Sequence, residues 1–157
     1  MALRLEEYDW VETFIEENKQ LLKPEEQENA YTYNKALLHF HKHNYDRTLE
    51  LLRNVEFTDV FYNLDCKALL MKTFYDKNEL DPLFSLMDAF YVYLRRNKLI
   101  SASNRDSYSN FLRFVKKLIK YKNSSREKIE QLEHELYNTA SVANLTWLRG
   151  KIEEMKK

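Results

Sequence analysis

One glycine, two prolines and one cysteine in 157 residues rule out much before any pattern is read. Sandwiches and barrels draw on glycine and proline at their many corners, so a turn-rich β-fold is excluded. A single glycine also leaves no loop able to cradle a phosphate. Cys66 has no second cysteine to pair with, which suits a reducing, cytoplasmic compartment. Twenty-five basic residues balance twenty-five acidic ones, so no global field draws the chain to nucleic acid or to a membrane. Long apolar runs are missing too. The opening MALRLEEYDW is acidic and amphipathic, neither a signal peptide nor a membrane span. Asn123-Ser-Ser and Asn144-Leu-Thr match the glycosylation pattern, and without a secretory signal they are chance matches.

What is present is helical periodicity, which predicts about eight helices in one domain spanning residues 1–157. Trp10, Val11, Phe14, Ile15, Leu21 and Leu22 mark one apolar stripe over about 4–22, and Pro24 ends it. Further helices are expected over about 25–43 and 46–54. Thr58 is the expected N-cap of the next, which runs to about 76. That segment, DVFYNLDCKALLMKTFY, is apolar on nearly every side, so it should sit centrally, with Leu64, Leu69, Leu70 and Phe74 buried. Asp81-Pro82 predicts an N-cap and first helical residue. Ser103-x-x-Asp106 and the capping box Ser124-x-x-Glu127 predict two later starts. A last helix over about 143–156 contains Gly150, which weakens it by about 1 kcal/mol relative to alanine. Short connections make neighbouring helices antiparallel. The longest elbow is NKLISASN, 97–104.

The chain also repeats itself. HNYDRTLELL (43–52) aligns with NELDPLFSLM (78–87) at an offset of 35, which sets Phe40 on Tyr75 and Asp46 on Asp81. Each unit is a helix, a tight polar corner and a second helix. One hairpin cannot bury its apolar faces alone, so the expected fold is all-α, with antiparallel hairpins stacked as an α-solenoid.

The stretch NYDRTLELLRNVEFTDVFYNLDCKALLMKTFYDKNELDPLFSLMDAFYVYLRRNKLIS resembles uncharacterised bacterial proteins built from tetratricopeptide-like repeats. The resemblance covers about residues 5–122. It gives Ala36 the part of the small helix-packing residue and Tyr45 that of the corner aromatic. Ala36 or Leu37 stands where glycine is usual, Thr48 where alanine is usual, and the 97–104 elbow is not repeat-like. The resemblance implies protein–protein interaction and supplies no catalytic residues. The first helix is similar to the second helix of a repeat that lacks its first, as in the C-terminal part of a longer repeat protein; the alternative is that it serves as an N-terminal cap.

Chemistry-bearing patterns are few. His39, His41 and His43 alternate; on a helix His39 and His43 share a face while His41 points away, and two ligands do not make a zinc site. No H-E-x-x-H or CxxC accompanies them, so no metal or cofactor is expected. Adjacent carboxylates such as Glu16/Glu17 and Glu25/Glu26 diverge on a helix and cannot share a substrate. Cys66 lies in the apolar central segment and serves packing. The chain is therefore expected not to be an enzyme.

Two features suggest partners instead. If Tyr45 marks the corner, Tyr33, Phe40 and His41 face the groove of the repeat, and Lys72, Tyr75 and Asp76 hold the equivalent places in the next. A tyrosine-rich groove with scattered charge suits a protein or peptide. Charge is also segregated. Residues 1–30 carry nine acidic and three basic side chains, a net −6; residues 95–128 carry eleven basic and two acidic, a net +9. Arg95, Arg96, Lys116, Lys117 and Lys120 form the expected basic patch. It suits an acidic partner, another copy's N-terminal end included. A nucleic acid is the alternative, though no known motif supports it.

Overall fold

The computed structural model describes residues 6–21, 23–53, 55 and 59–157, apart from the side chains of Glu25 and Glu26. Among the described residues it contains eight α-helices and no strand. They are α1 (Tyr8–Asn18), α2 (Pro24–His41), α3 (Tyr45–Arg53), α4 (Val60–Asp76), α5 (Leu80–Arg96), α6 (Ala102–Tyr121), α7 (Arg126–Asn138) and α8 (Leu145–Met155). A short 3-10 turn, Lys19–Leu21, follows α1. No described helix is long and apolar enough to cross a membrane. The chain divides into two compact units, Met1–Leu86 and Met87–Lys157.

In the first unit α1 lies antiparallel to α2. The Tyr8 hydroxyl donates to the His41 carbonyl at 3.0 Å, while at the other end Lys19 meets Glu28 at 2.8 Å. Between these ends Lys35 bridges Glu12 (3.3 Å) and Glu16 (2.6 Å), and Lys42 reaches Glu12 at 3.0 Å. The α2–α3 hairpin closes more tightly. Buried Thr48 donates its hydroxyl to the Ala36 carbonyl at 3.3 Å and to the Asn44 carbonyl at 3.1 Å. A small residue at 36 lets α3 approach, and a threonine at 48 fits because helix carbonyls accept its hydroxyl. Tyr45 packs on Phe40 with ring centroids 5.7 Å apart.

The two corners aligned at an offset of 35 share a local backbone geometry. His43 and Asn78, 35 positions apart, both adopt left-handed φ of 57°. Around each, the same bonds form. The amides of His43 and Asn44 donate to the carbonyls of Phe40 (3.0 Å) and His39 (2.8 Å), and those of Asn78 and Glu79 to Tyr75 (3.0 Å) and Phe74 (2.9 Å). This is the Schellman pattern, which satisfies the carbonyls left open at a helix end. Both corners therefore close the preceding helix in the same way.

Helix α4 buries more residues than any other helix of the first unit: Leu64, Cys66, Ala68, Leu69, Met71, Lys72 and Thr73. Leu70 and Phe74 are only half-buried, a correction to the expected core. Thr58 lies outside the described residues, as do residues 4–5 and Leu22 of the first expected helix. Asp59 caps α4, accepting from the amides of Phe61 (2.7 Å) and Tyr62 (3.1 Å). Helix α5 starts at Leu80, so Pro82 occupies the third helical position, where its missing N–H is still harmless. Ser101, not Ser103, caps α6 and accepts from Asn104 N at 3.2 Å. Ser125, not Ser124, precedes α7 and makes no side-chain cap bond.

In the second unit α6, α7 and α8 pack together around Phe111, Phe114, Val115, Leu118, Ile129, Leu132, Leu136, Leu148 and Ile152. Trp147 meets Phe111 edge-on at 6.1 Å. The α7–α8 connection is tied to α6: Ala143 N donates to the Ser107 carbonyl at 3.1 Å, and the Asn110 amide to the carbonyls of Ala140 (3.3 Å) and Ser141 (3.1 Å).

Candidate functional site

The structure brings part of the expected groove together on α2 and α4. The Lys72 ammonium sits 5.2 Å from the centre of the Phe40 ring, a cation–π distance. Phe40 is 7% exposed and Lys72 8%, so both support this face from within. His41, Tyr75 and Asp76 are half-buried and carry its accessible chemistry. Burial pushes the Lys72 amine down to about 8, against the pull of Asp65 and Asp76, which favour the charged form. Burial also lowers His41, followed by the charges of Lys72 and His43, so a neutral imidazole stands beside a readily neutralised amine. Tyr33 lies apart from this group, edge-on to Tyr62 at 6.1 Å, and burial with the nearby Asp65 raises its hydroxyl pKa. Phe40 and Lys72 sit 32 positions apart in sequence, so their pairing is a tertiary event.

The three clustered histidines part company for a reason the helical reading missed. Helix α2 ends at His41, and His43 occupies the left-handed position of the corner, off the helix. Its Nδ1 pairs with the Tyr45 hydroxyl at 2.8 Å. His39 is lowered by burial, then by Lys42 and Arg47, and its Nδ1 has no partner among the described residues. Those residues hold no group of three or more His, Cys, Asp or Glu placed to bind a metal ion. Cys66 is buried and its thiol is pushed up to about 12, so it carries no thiolate near neutrality.

The basic patch is split between surface and scaffold. Arg95, Arg96, Lys116 and Lys120 are exposed. Lys117 is half-buried in an ion pair with Glu135 of α7, which also receives Arg113 at 3.3 Å. Arg105 is structural. Its guanidinium donates to the Leu94 carbonyl, to Asn97 O at 3.2 Å and to Ile100 O at 3.1 Å, closing the 97–101 elbow. A cleft of about 400 Å³ runs between α5 and α6, floored by Met87 and Leu112, walled by Tyr91 and rimmed by Arg113 and Lys116. Arg95 lies on the Tyr91 ring at 5.7 Å. A second cleft of about 590 Å³ between α7 and α8 is lined by Glu130, His134, Tyr137 and Arg149.

The stripe predicted for α1 divides in two. Val11 is buried and Ile15 half-buried, whereas Trp10 is 57% and Phe14 49% exposed. Those two rings stack at 5.2 Å with planes 20° apart. Phe14 also edges a third cleft of about 340 Å³, shared with Ile15, Tyr31 and Leu37. Spacing one turn apart announced the pair, but an apolar stripe does not reveal which edge stays wet. No protein-family model, curated protein or solved structure matches the chain.

Proposed function

We propose that this chain is a non-enzymatic helical-repeat module of the tetratricopeptide-like kind that binds a protein or peptide through the α2–α4 face. One observation carries the reading: a buried ammonium stacked on the Phe40 ring beside half-buried His41, with Tyr33, Tyr75 and Asp76 on the same two helices. Rigid aromatic groups with a few fixed charges favour peptide recognition because little side-chain freedom is lost on binding. An amine held near 8 also suits covalent chemistry, but Lys72 is buried against the Phe40 ring, a placement that favours a supporting role. A nucleic-acid partner for the basic surface is the weaker alternative, since Lys117 and Arg113 share Glu135 and Arg105 is committed to backbone carbonyls.

The full chain, immobilised and exposed to extract from its native cell, should capture a discrete partner identified by mass spectrometry. Tyr75→Ala with Asp76→Lys should lose that partner at unchanged helical circular dichroism. Lys116→Glu with Lys120→Glu should keep it. Equal capture by all three proteins would refute the assignment to α2–α4. Salt-sensitive capture of nucleic acid, lost only in the lysine variant, would establish the alternative.

A further inference from the structure

We propose that copies of this chain associate head to tail, the outer face of α1 in one copy docking into the α5–α6 cleft of the next. The docking face has a definite composition. Glu12 and Glu16 point toward α2, where Lys35 and Lys42 neutralise them. Glu7 and Glu17 are exposed and make no ion pair among the described residues. They flank the stacked Trp10 and Phe14 rings on the same side of the helix, because positions 7, 10, 14 and 17 share a face. Half-exposed Trp and Phe on a charged helix mark an anchor for an interface, since scattered single apolar residues need no explanation but a stacked aromatic pair does.

The receiving cleft is apolar at its base and carries two cations, Arg113 and Lys116, against one carboxylate, Asp88. Its floor is apolar, Met87 and Leu112, and Tyr91 stands 51% exposed beside it. Lys116 is exposed on its rim with no ion-pair partner among the described residues, and Arg95 adds a second cation above the Tyr91 ring. A partner must therefore bring apolar or aromatic groups together with carboxylates, and α1 offers both on one face. This chain holds the anchor and the receptor at once. The two surfaces are different, so the contact is heterologous and builds rings or open chains rather than a closed two-fold dimer. It involves neither α2 nor α4 of the receiving copy, and stands independently of the reading given under Proposed function.

Sedimentation of the full chain tests it. The average mass should rise with concentration and fall back as salt goes from about 0.05 M to about 0.5 M, where screening shortens to a few ångströms. Trp10→Ser with Phe14→Ser, and separately Arg95→Glu with Lys116→Glu, should each weaken association by roughly a hundredfold, the scale of lost anchor residues. All four side chains are exposed, so helical circular dichroism should be unchanged. An equimolar mixture of the two variants should form a one-to-one dimer and nothing larger, because each keeps the surface the other has lost. A wild type monomeric at every concentration, assembly undiminished in either variant, or a mixture that stays monomeric would each overturn the proposal. So would a monomeric chain whose Lys116 cleft captures an unrelated acidic peptide, since the cleft would then belong to another partner.

Discussion

Lys72→Met should make the protein more stable at pH 7, and the gain should shrink as the pH rises. Lys72 is almost fully buried, and its amine sits near 8 against an ordinary value of 10.5. Below pH 8 it is charged in both states, so the folded state carries the whole desolvation penalty. A gap of that size corresponds to roughly 3 kcal/mol. Between pH 8 and 10.5 the unfolded chain binds more protons than the folded one, so stability rises with pH across that window. From pH 7 to pH 9 the release amounts to roughly 1 kcal/mol. Cys66 opposes this above pH 9, because its thiol ionises in the unfolded chain but is held to about 12 when buried. Comparing wild type and variant at each pH cancels that contribution. Removing the lysine does not strand a buried charge, since Asp65 is exposed and Asp76 half-buried. Methionine keeps the length that covers Phe40, and apolar replacement of buried ionic groups is commonly neutral or stabilising. Urea unfolding at pH 7, 8 and 9, followed by circular dichroism, gives the difference directly. A difference that is constant across the three pH values would refute a buried, depressed amine at this position.

Three further outcomes are expected. Gly150→Ala should stabilise by about 1 kcal/mol, because the site is inside α8 and an added Cβ meets nothing within 4 Å; thermal unfolding measures it. Arg105→Met should destabilise by roughly 2–3 kcal/mol, since three elbow carbonyls lose a charged donor, and Arg105→Lys should recover only part of it because an ammonium lacks the planar fork. Stability should also decline as the pH falls below about 6.5, because His39 and His41 are both depressed by burial and the unfolded chain takes up protons the folded one resists; proton NMR titration should find both rings below the ordinary histidine range.

The helical class was legible in the sequence, and for a local reason: glycine and proline scarcity and apolar spacing act within a few residues of chain. The offset-35 alignment was equally local, and His43 and Asn78 adopt the same left-handed corner because both corners solve one problem, satisfying the last carbonyls of the preceding helix. Helix starts were less legible. Ser101 and Ser103, or Ser124 and Ser125, are chemically equivalent caps, and the choice between them depends on contacts further away, such as the hold of Arg105 on the elbow.

What only the tertiary structure decided is which face of each segment meets water and which charges meet each other. Periodicity placed Trp10 and Val11 on one stripe; packing against α2 buried Val11 and left Trp10 outside, because a helix has more apolar edge than one neighbour can cover. Counting charges made Arg95, Arg105, Lys116 and Lys117 look alike. The fold sends Lys117 to Glu135, 18 positions away, and Arg105 into the elbow, while Arg95 and Lys116 stay at the surface. Sequence therefore determines local backbone geometry through short-range sterics and periodicity. The burial of Lys72 on Phe40, and with it the depressed amine, comes from packing by residues distant in the chain, which no local pattern encodes.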